Sequence, residues 1–271
     1  MRTLILKFGG AAVATPEQFS AIAEIIAARR QQYSRIVVVV SAMGSTTDDL
    51  LKLSLHVHPN PPRRELDMLL TVGERISIAL LAMALDGKGI PAISFTGSQS
   101  GIITSNDHSE ARIVEVKPRR LIAHLNEGKI VIVAGFQGVS RNGEITTLGR
   151  GGSDTSAVAL GVALEAEKVE FYKDVSGVYT SDPKKDSTAQ LLQELDFDAA
   201  HELMLKGAKV LHPRSVLLAQ KNQLPLHVLS FHEVKGGQVF HDFDSLGTWI
   251  GKSSKGQKSQ FLYEDSTVIN G

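Results

Sequence analysis

The sequence of 271 residues contains no cysteine, and aromatic residues make up only 6% of it. The lack of cysteine excludes disulfides, thiolate metal sites and a cysteine nucleophile. Basic and acidic residues number 29 each, so no net charge attracts nucleic acid or an anionic membrane. Any anionic ligand must therefore be bound by a local site rather than by the charge of the whole molecule.

Long apolar runs are also missing from the sequence. No run approaches the roughly 18 residues that a membrane helix needs, and IVVVV at residues 36–40 has the length of a strand. The N-terminus, MRTLILKFGG, enters strand-like sequence without a signal-peptide pattern. Hydrophobic residues make up 42% of the chain, which is enough for a sizeable core. We expect a soluble, cytoplasmic protein that binds neither nucleic acid nor membranes.

Short β-branched segments alternate with helical segments along the chain. Strands are predicted at TLILKF, IVVVVSA, PAISF, KIVIVAGF, VEFYK and PLHVLSF. Helices are predicted near residues 16–30, 64–85, 118–127, 154–166, 197–206 and 213–222. This alternation is typical of a mainly parallel sheet covered by helices. The polar segment that starts at Gly251 predicts a packed domain over residues 1–250 and a mobile tail over residues 251–271.

In the first half of the chain, two of the turns that follow predicted strands have the composition of ligand-binding turns. In KFGG, Gly9 and Gly10 let the backbone approach a phosphate, and Lys7 supplies positive charge. A tight strand-to-helix turn with Lys7 as an exposed strand end accounts for this segment equally well. The chain has neither a GxxxxGK[ST] loop nor a GxGxxG loop, which disfavours those two nucleotide-binding families. In VVVVSAMGSTTDDL, Ser41 and Thr47 offer hydroxyls to a small polar substrate, although capping by Thr46 or Thr47 also accounts for the segment.

The segment TTLGRGGSDTS at residues 146–156 carries the strongest functional signal. Arg150 is suited to grip a carboxylate, and Asp154 is suited to orient cations around a phosphoryl group. Capping of the following helix requires only the aspartate, so the adjacent arginine and glycines favour a binding site over a structural turn.

Two further segments, FYKDVSGVYTSDPKK and KGAKVLHPRS, carry groups that suit a nucleotide. These groups are Lys173, Asp174, Tyr179, Asp182, Lys184 and Lys209. Each of them taken alone is more often a solvated surface residue. Five histidines lack the context of a metal site or a catalytic triad, and we interpret them as structural or surface residues. They are His56, His58, His108, His201 and His212. Phosphoryl transfer depends on positioning and charge neutralisation, so an inventory of lysines, glycines and one aspartate matches it.

Together these motifs resemble the aspartate kinases of the amino acid kinase family. The similarity runs from KFGG to GAKVLHPR and includes RELDMLLTVGE, GSQSGIIT, VAGFQG and DVSGVYTSDP in the same order. It implies a three-layer αβα sandwich with a central, mainly parallel sheet, whose N-terminal half binds aspartate and whose C-terminal half binds ATP. The implied reaction is phosphorylation of the aspartate side-chain carboxylate by ATP with Mg²⁺, the first step of aspartate-derived amino-acid biosynthesis.

The resemblance also implies a role for each matching residue. Glu74 would bind the substrate ammonium and Arg150 its α-carboxylate, while Asp154 would order the transfer lysines Lys7 and Lys209. The other implied substrate-binding residues are Ser41, Thr47, Gly151, Gly152 and Ser153. The other implied nucleotide-binding residues are Phe8, Gly9, Gly10, Lys173, Asp174, Tyr179, Lys184 and Val210. No side chain is assigned to hold a metal ion directly.

This sequence departs from the family pattern at three places. Ala11 and Ala12 replace the threonine and serine of a usual KFGGTS, which removes two hydroxyl donors. Lys173 stands at a usual threonine and Lys184 at a usual arginine, so positive charge is kept near ATP. The sequence ends where aspartate kinases continue into regulatory ACT modules, so we do not expect the usual feedback inhibition, and a homodimer is left open. A related kinase for another carboxylate and a catalytically weak ligand-binding homologue remain the alternatives.

Overall fold

Two parallel strands of aliphatic residues form the centre of the fold. In this computed structural model, which describes residues 1–183, 185–234, 242–251 and 261–264, every residue of the first strand is buried. In the second strand only Arg35 is partly exposed. Strands that are buried on both faces require cover on both sides, so this sequence pattern specifies the middle layer of an α/β protein.

Within the described residues the strands have the following bounds. They are β1 (Thr3–Phe8), β2 (Arg35–Val40), β3 (Ala92–Phe95), β4 (Ile102–Thr104), β5 (Ile113–Val116), β6 (Ile130–Ala134), β7 (Gln137–Ser140), β8 (Ile145–Thr147), β9 (Lys168–Lys173), β10 (Val178–Tyr179), β11 (Leu191–Leu192), β12 (Glu194–Leu195), β13 (Leu226–Ser230) and β14 (Thr248–Ile250). The main sheet has the order β12-β14-β13-β9-β1-β2-β6-β3. Its pairings are parallel except for the one between β13 and β14.

Helices cover both faces of this sheet. They are α1 (Pro16–Arg29), α2 (Thr46–Val57), α3 (Arg63–Leu70), α4 (Val72–Asp86), α5 (Arg119–Asn126), α6 (Gly152–Ala163), α7 (Phe197–Leu205), α8 (Pro213–Lys221) and α9 (Phe231–Val234). The face of β1 that carries Leu4 and Leu6 packs against α1 and α4, and the face that carries Ile5 packs with α5, α6, α7 and α8. The predicted three-layer αβα sandwich with a mainly parallel sheet is confirmed.

A second sheet, which the sequence pattern did not predict, has the order β5-β4-β7-β8. Its strands are three or four residues long, too short for an alternating pattern to be recognised. Ile102 and Ile113 on this sheet belong to the same core cluster as α6. The packing of this sheet on α6 therefore positions the end of β8, from which the glycine-rich segment continues.

The single helix predicted near residues 64–85 is two helices, α3 and α4, which meet at Thr71. Contrary to the expectation from the sequence, the stretch Arg63–Asp86 is by length and composition apolar enough to cross a membrane, and 44% of an 18-residue part of it is buried inside the fold. The buried face of α4 packs on the sheet through Ile78, Leu81 and Leu85. This packing is that of a core helix.

Packing continues beyond the domain boundary at Ile250 that the sequence suggested. Phe261–Glu264 are described, and Tyr263 is only 8% exposed within the core. The rest of the predicted mobile tail lies outside the described residues, apart from Gly251.

Candidate active site

The carboxyl ends of β1, β2 and β9 meet at one edge of the main sheet. β1 lies between the other two, with Lys7 beside Val39 on one side and beside Phe171 on the other. The strands that follow β1 in the first half of the chain lie on the β2 side, and β9 and β13 lie on the opposite side. A parallel sheet opens a crevice at such a point, where ligands of α/β proteins bind.

A buried ion cluster occupies this point. The carboxylate of Asp154, in the first turn of α6, lies 2.6 Å from Lys7 Nζ and 3.1 Å from Lys173 Nζ. Burial alone would raise the pKa of Asp154, but the two ammonium groups outweigh this effect and hold the pKa well below its usual range. Asp154 is therefore an anion that holds two lysines at the end of the central strands.

The second lysine at Asp154 is Lys173 and not Lys209. Lys209 is exposed on the turn before α8 and makes no hydrogen bond or ion pair with other described residues. The pKa of Lys173 is lowered to about 8, because burial and the neighbouring charge of Lys7 lower it more than the Asp154 carboxylate raises it. The expectation that Asp154 orders Lys7 and Lys209 together is thus replaced by a contact with Lys7 and Lys173.

The segment 149–152 forms a tight turn into α6. Gly151 has φ +70°, and a Cβ atom there would lie 2.2 Å from the His212 ring. Gly149 has φ +71°, and its Cβ would lie 3.0 Å from the Ser109 carbonyl oxygen. Only glycine fits both positions, because the space and the backbone conformation exclude other side chains. Arg150, between them, is exposed and has no polar partner among the described residues, so its guanidinium group is available to a ligand.

Glu74 is a buried carboxylate with one unsatisfied oxygen. It lies in the first turn of α4, where Gly73 allows the helix to approach Ala42 closely, since a Cβ at Gly73 would lie 2.7 Å from that of Ala42. Oε1 of Glu74 accepts a hydrogen bond from Ala42 N at 3.1 Å, and Oε2 is buried without a partner. Burial raises the pKa of Glu74 to about 7. An ammonium group of a ligand would supply both the missing donor and the missing positive charge.

The first glycine turn packs against the end of β2. Gly10 begins a short 3₁₀ helix, and a Cβ there would lie 3.0 Å from the Ala42 carbonyl oxygen. Ala12 belongs to the core at 3% exposure, whereas Ala11 is exposed. This chain lacks the two hydroxyl groups of the usual KFGGTS. A ligand could reach a hydroxyl only at position 11, because position 12 is buried. Ser41 is partly exposed beside this turn, and its backbone N–H donates to the Phe8 carbonyl.

The remaining predicted site residues have varied surroundings. The Phe8 side chain is fully buried and stacks on Tyr172 at 4.6 Å, so a nucleotide could reach only its backbone. Thr47 is partly exposed in the first turn of α2, where Ser45, rather than Thr46 or Thr47, is the N-cap residue. Gly9 lies beside Lys7, and Gly152 and the buried Ser153 lie in the first turn of α6. Asp174 and Asp182 are exposed, whereas Tyr179 and Val210 are half-buried. Lys184 lies outside the described residues.

Asp67 is a structural residue of the site region that sequence reasoning missed. It is completely buried in α3 and accepts hydrogen bonds from Ser109 N at 3.1 Å and Thr147 Oγ1 at 2.7 Å. It also contacts His108 Nδ1 at 2.8 Å. Asp67 therefore fixes the loop that faces Gly149 and the end of β8. Its motif, RELD, was noticed, but no local pattern identifies long-range contacts of this kind.

A second buried ion cluster lies at the amino end of β9. Glu170 pairs with Arg29 and with Lys168, whose Nζ is also 2.5 Å from Asp244 Oδ1. Glu170, His227 and Asp244 are the one group of potential metal ligands in the part of the chain that the structure describes. The ammonium group of Lys168 already supplies a cation to both carboxylates, so we interpret this group as an ion-pair network.

Comparison with known proteins identifies the family of this chain. The amino acid kinase family model matches residues 2–230. This chain belongs to the amino acid kinase family. Its membership accounts for the sandwich, and it agrees with the family resemblance inferred from the motifs.

Similar members of the amino acid kinase family are aspartate kinases. Over 246 residues the chain is 50% identical to an aspartokinase of Geobacillus stearothermophilus, covering 91% of this chain and 60% of that protein. The crystal structure of aspartate kinase from Synechocystis has a TM-score of 0.80 at 44% identity, over 95% of this chain and 40% of that one. E. coli aspartokinase III in complex with aspartate and ADP has a TM-score of 0.79 at 28% identity, over 92% of this chain and 64% of that one. This chain thus spans about 60% of the length of the relatives it matches.

Proposed function

We propose that this chain is the catalytic part of an aspartate kinase, which transfers the γ-phosphoryl group of ATP to the side-chain carboxylate of L-aspartate. The products would be 4-phospho-L-aspartate and ADP. The observation that carries the proposal is the cluster of Asp154, Lys7 and Lys173 at the crevice of the sheet. The 50% identity to an aspartokinase and the similarity to a structure that holds aspartate and ADP support the choice of substrate.

Two groups of opposite charge would recognise the amino acid. Glu74 has a buried carboxylate oxygen that lacks a donor, and an α-ammonium group would satisfy it. Arg150 is exposed without a partner among the described residues, and its planar fork matches an α-carboxylate. With both α-groups bound, the β-carboxylate of aspartate would be left to react. Ser41, Thr47 and the turn at Gly151–Ser153 would complete the amino-acid site.

The transfer step would depend on charge neutralisation. The β-carboxylate is already ionised, so one of its oxygens can attack the γ-phosphorus without a general base, and the bond to the bridging β–γ oxygen breaks as ADP leaves. Lys7 and Lys173 would face the negative charge of the transferring group, while Asp154 holds both ammonium groups in place. Such preorganised cations stabilise charge that develops in the transition state.

The nucleotide would be bound beside these lysines. Gly9 and Gly10 would let the backbone approach the phosphates, and Phe8 would contribute only its backbone. Further contacts would come from Asp174, Tyr179, Lys209 and Val210, and from Lys184 outside the described residues. Mg²⁺, when bound with the nucleotide, would neutralise the β- and γ-phosphate oxygens. At this crevice the described carboxylates form no metal-binding group, so the ion would be held largely by the phosphates.

The decisive experiment is a coupled ADP-release assay with ATP and Mg²⁺ across a panel of amino acids. Aspartate should have the highest kcat/KM, and Arg150→Ala should raise the aspartate KM on the order of 10²-fold because it removes a charged fork. Arg112→Ala, another arginine whose side chain has no described polar partner, is a matched control and should leave the aspartate KM unchanged.

The exposed Ala11 favours one alternative specifically, because a hydroxyl is lacking on a surface that a ligand can reach. A related amino-acid kinase would show higher kcat/KM with another carboxylate substrate. Binding of ATP without turnover of any amino acid would instead indicate a catalytically weak homologue. A role in aspartate-derived amino-acid biosynthesis and a cytoplasmic location form part of the same proposal.

A further inference from the structure

The segment Phe261–Glu264, called here the terminal segment, is anchored to the core by backbone contacts. Asn222 at the end of α8 makes two hydrogen bonds to Leu262, with Nδ2 donating to the carbonyl oxygen at 2.7 Å and Oδ1 accepting from the N–H at 3.1 Å. Glu264 N donates to the Ile113 carbonyl at 3.1 Å. Tyr263 lies between these anchors in the core. The terminal segment therefore has a defined position on the catalytic domain.

The side chain of Glu264 is bound by Arg214. Arg214 Nε and Nη2 donate to the two carboxylate oxygens at 2.6 and 3.0 Å, and Glu264 Oε2 also accepts from Ile113 N at 2.9 Å. The carboxylate is only 6% exposed, so this two-point ion pair is largely shielded from solvent. A two-point contact fixes the plane of the guanidinium group as well as its position.

The rest of the Arg214 guanidinium group binds the chain just ahead of the glycine turn. Nη1 donates to the Leu148 carbonyl at 2.6 Å and Nη2 to the Ala111 carbonyl at 3.0 Å. Leu148, Gly149 and Arg150 are consecutive residues, so Arg214 holds the backbone two residues before Arg150. Loss of Glu264 would leave the guanidinium group without its anion and with only carbonyl partners.

His212, two residues before Arg214, contacts the same turn from the other end. Its ring lies where a Cβ at Gly151 would be, and its Nδ1 accepts from Arg214 N at 3.3 Å. The start of α8 thus touches the turn at both Leu148 and Gly151. A displacement of Arg214 would be transmitted to the backbone on either side of Arg150.

We propose that Glu264 and Arg214 are positioning residues for the amino-acid site, and that their ion pair orients the turn that carries Arg150. The expected change in kinetics rests on the proposed function, in which Arg150 binds the substrate α-carboxylate. Neither residue touches the substrate. The expected effect is therefore on aspartate affinity and not on the chemical step.

The test compares Glu264→Gln and Arg214→Lys with Asn222→Ala in the full chain. Each of the first two variants should raise the aspartate KM about tenfold, with the ATP KM and kcat at saturating aspartate within about twofold of the parent chain. Asn222→Ala removes the other anchor of the terminal segment without touching the turn. It should lower the thermal midpoint but leave the aspartate KM unchanged.

Hydrogen exchange followed by mass spectrometry gives a readout that does not depend on the enzymatic activity. Amides of residues 148–152 should exchange faster in Glu264→Gln than in the parent chain and in Asn222→Ala. Faster exchange in a chain that turns over no aspartate would support the positioning contact and refute only the proposed function. Unchanged exchange at residues 148–152 in Glu264→Gln, or an equal KM increase in Asn222→Ala, would overturn the inference.

Discussion

Two buried carboxylates in this molecule each lie between two cations, yet their surroundings differ. Glu170, at the amino end of β9, pairs with Arg29 and Lys168, and all three are nearly inaccessible to solvent. Asp154, at the carboxyl end of the central strands, pairs with Lys7 and Lys173 beside two glycine turns. The same combination of charges forms an enclosed structural contact in one place and, in our proposal, the base of a ligand crevice in the other.

Aromatic cover distinguishes the two clusters. The Arg29 guanidinium group lies 4.3 Å from the centre of the Phe243 ring, and Lys168 Nζ lies 4.5 Å from that of Trp249. These rings cover the two cations, whose side chains are only 1% and 2% exposed. At the other cluster, the side chain of Lys173 is 15% exposed and Gly9 leaves room beside Lys7. The difference teaches that enclosure, rather than charge composition, separates a structural ion cluster from a candidate catalytic one.

Glu170→Gln should have the largest effect, and that effect should be on stability. Removing one partner of a buried ion pair leaves uncompensated cations, which typically costs about 3–5 kcal/mol in the free energy of unfolding. Urea denaturation measures this loss. The kcat of the folded fraction should stay within about twofold of the parent value, since the cluster lies at the opposite end of β9 from Lys173. A large loss of kcat with unchanged stability would reverse the roles assigned to the two clusters.

Asp154→Asn should have the next largest effect, and that effect should be on catalysis. The variant removes the anion that holds Lys7 and Lys173, and kcat should fall about 10²- to 10³-fold, the size expected for a transition-state-stabilising group. The loss of stability should be smaller than for Glu170→Gln because Lys173 can move toward solvent. Steady-state kinetics and urea denaturation of the same preparation separate the two effects, and near-normal turnover would contradict the proposed role.

Glu74→Gln should weaken aspartate binding but stabilise the chain without ligand at alkaline pH. The pKa of Glu74 is raised to about 7 in the folded chain, so folding favours the protonated form. That contribution to stability is fully present below the ordinary value of 4.5 and is lost as the pH rises through 7. The glutamine variant should therefore gain about 1–3 kcal/mol relative to the parent chain at pH 8, and less at pH 5.

Thermal unfolding at the two pH values, without and with aspartate, tests this prediction for Glu74. Aspartate should raise the thermal midpoint of the parent chain more than that of the variant, because the variant lacks the anion for the ammonium group. Equal stabilisation of both chains by aspartate would remove Glu74 from the proposed site.

Lys173 should produce the smallest effect, an alkaline limit on activity. Its pKa is lowered to about 8, so about a tenth of the molecules would keep the charge at pH 9. The kcat/KM for ATP, which reports on the free enzyme, should fall about tenfold between pH 7 and pH 9. Lys173→Arg should abolish this decline, whereas Lys206→Arg on the exposed face of α7 should not. An unaltered decline in Lys173→Arg would assign the alkaline limit to another group.

Much of the main sheet could be predicted from the sequence, for physical reasons that particular segments illustrate. RIVVVV in β2 is almost entirely buried, and a run of β-branched residues of this length fits a central strand. Pro16 occupies the first turn of α1, where Gln18 Oε1 accepts a hydrogen bond from Thr15 N at 3.0 Å. The start of that helix was therefore predictable from neighbouring residues alone. Elements whose signals lie within one segment were the predictable ones.

Contacts between distant segments were not predictable in the same way. Glu74 alone has no unusual sequence context, and its buried, unpaired oxygen follows from the approach of α4 to Ala42. The Lys173 contact to Asp154 depends on how β9 and α6 pack, and it displaced the expected contact to Lys209. Pairs of this kind are set by tertiary packing, and periodicity within a segment carries no information about them.

The central position of β1 has a consequence for how the chain folds during synthesis. β1 leaves the ribosome before β2 and can pair with it early, but its other edge pairs with β9, which begins only at Lys168. At ribosomal rates of about 5–20 residues per second, that edge waits on the order of 10 to 30 s for its partner. An unpaired edge of this apolar composition is a template for aggregation, so we expect shielding of the nascent chain to matter until β9 arrives. The strand that carries Lys7 of the proposed site is thus also a strand that stays paired on one edge only while the rest of the sheet is made.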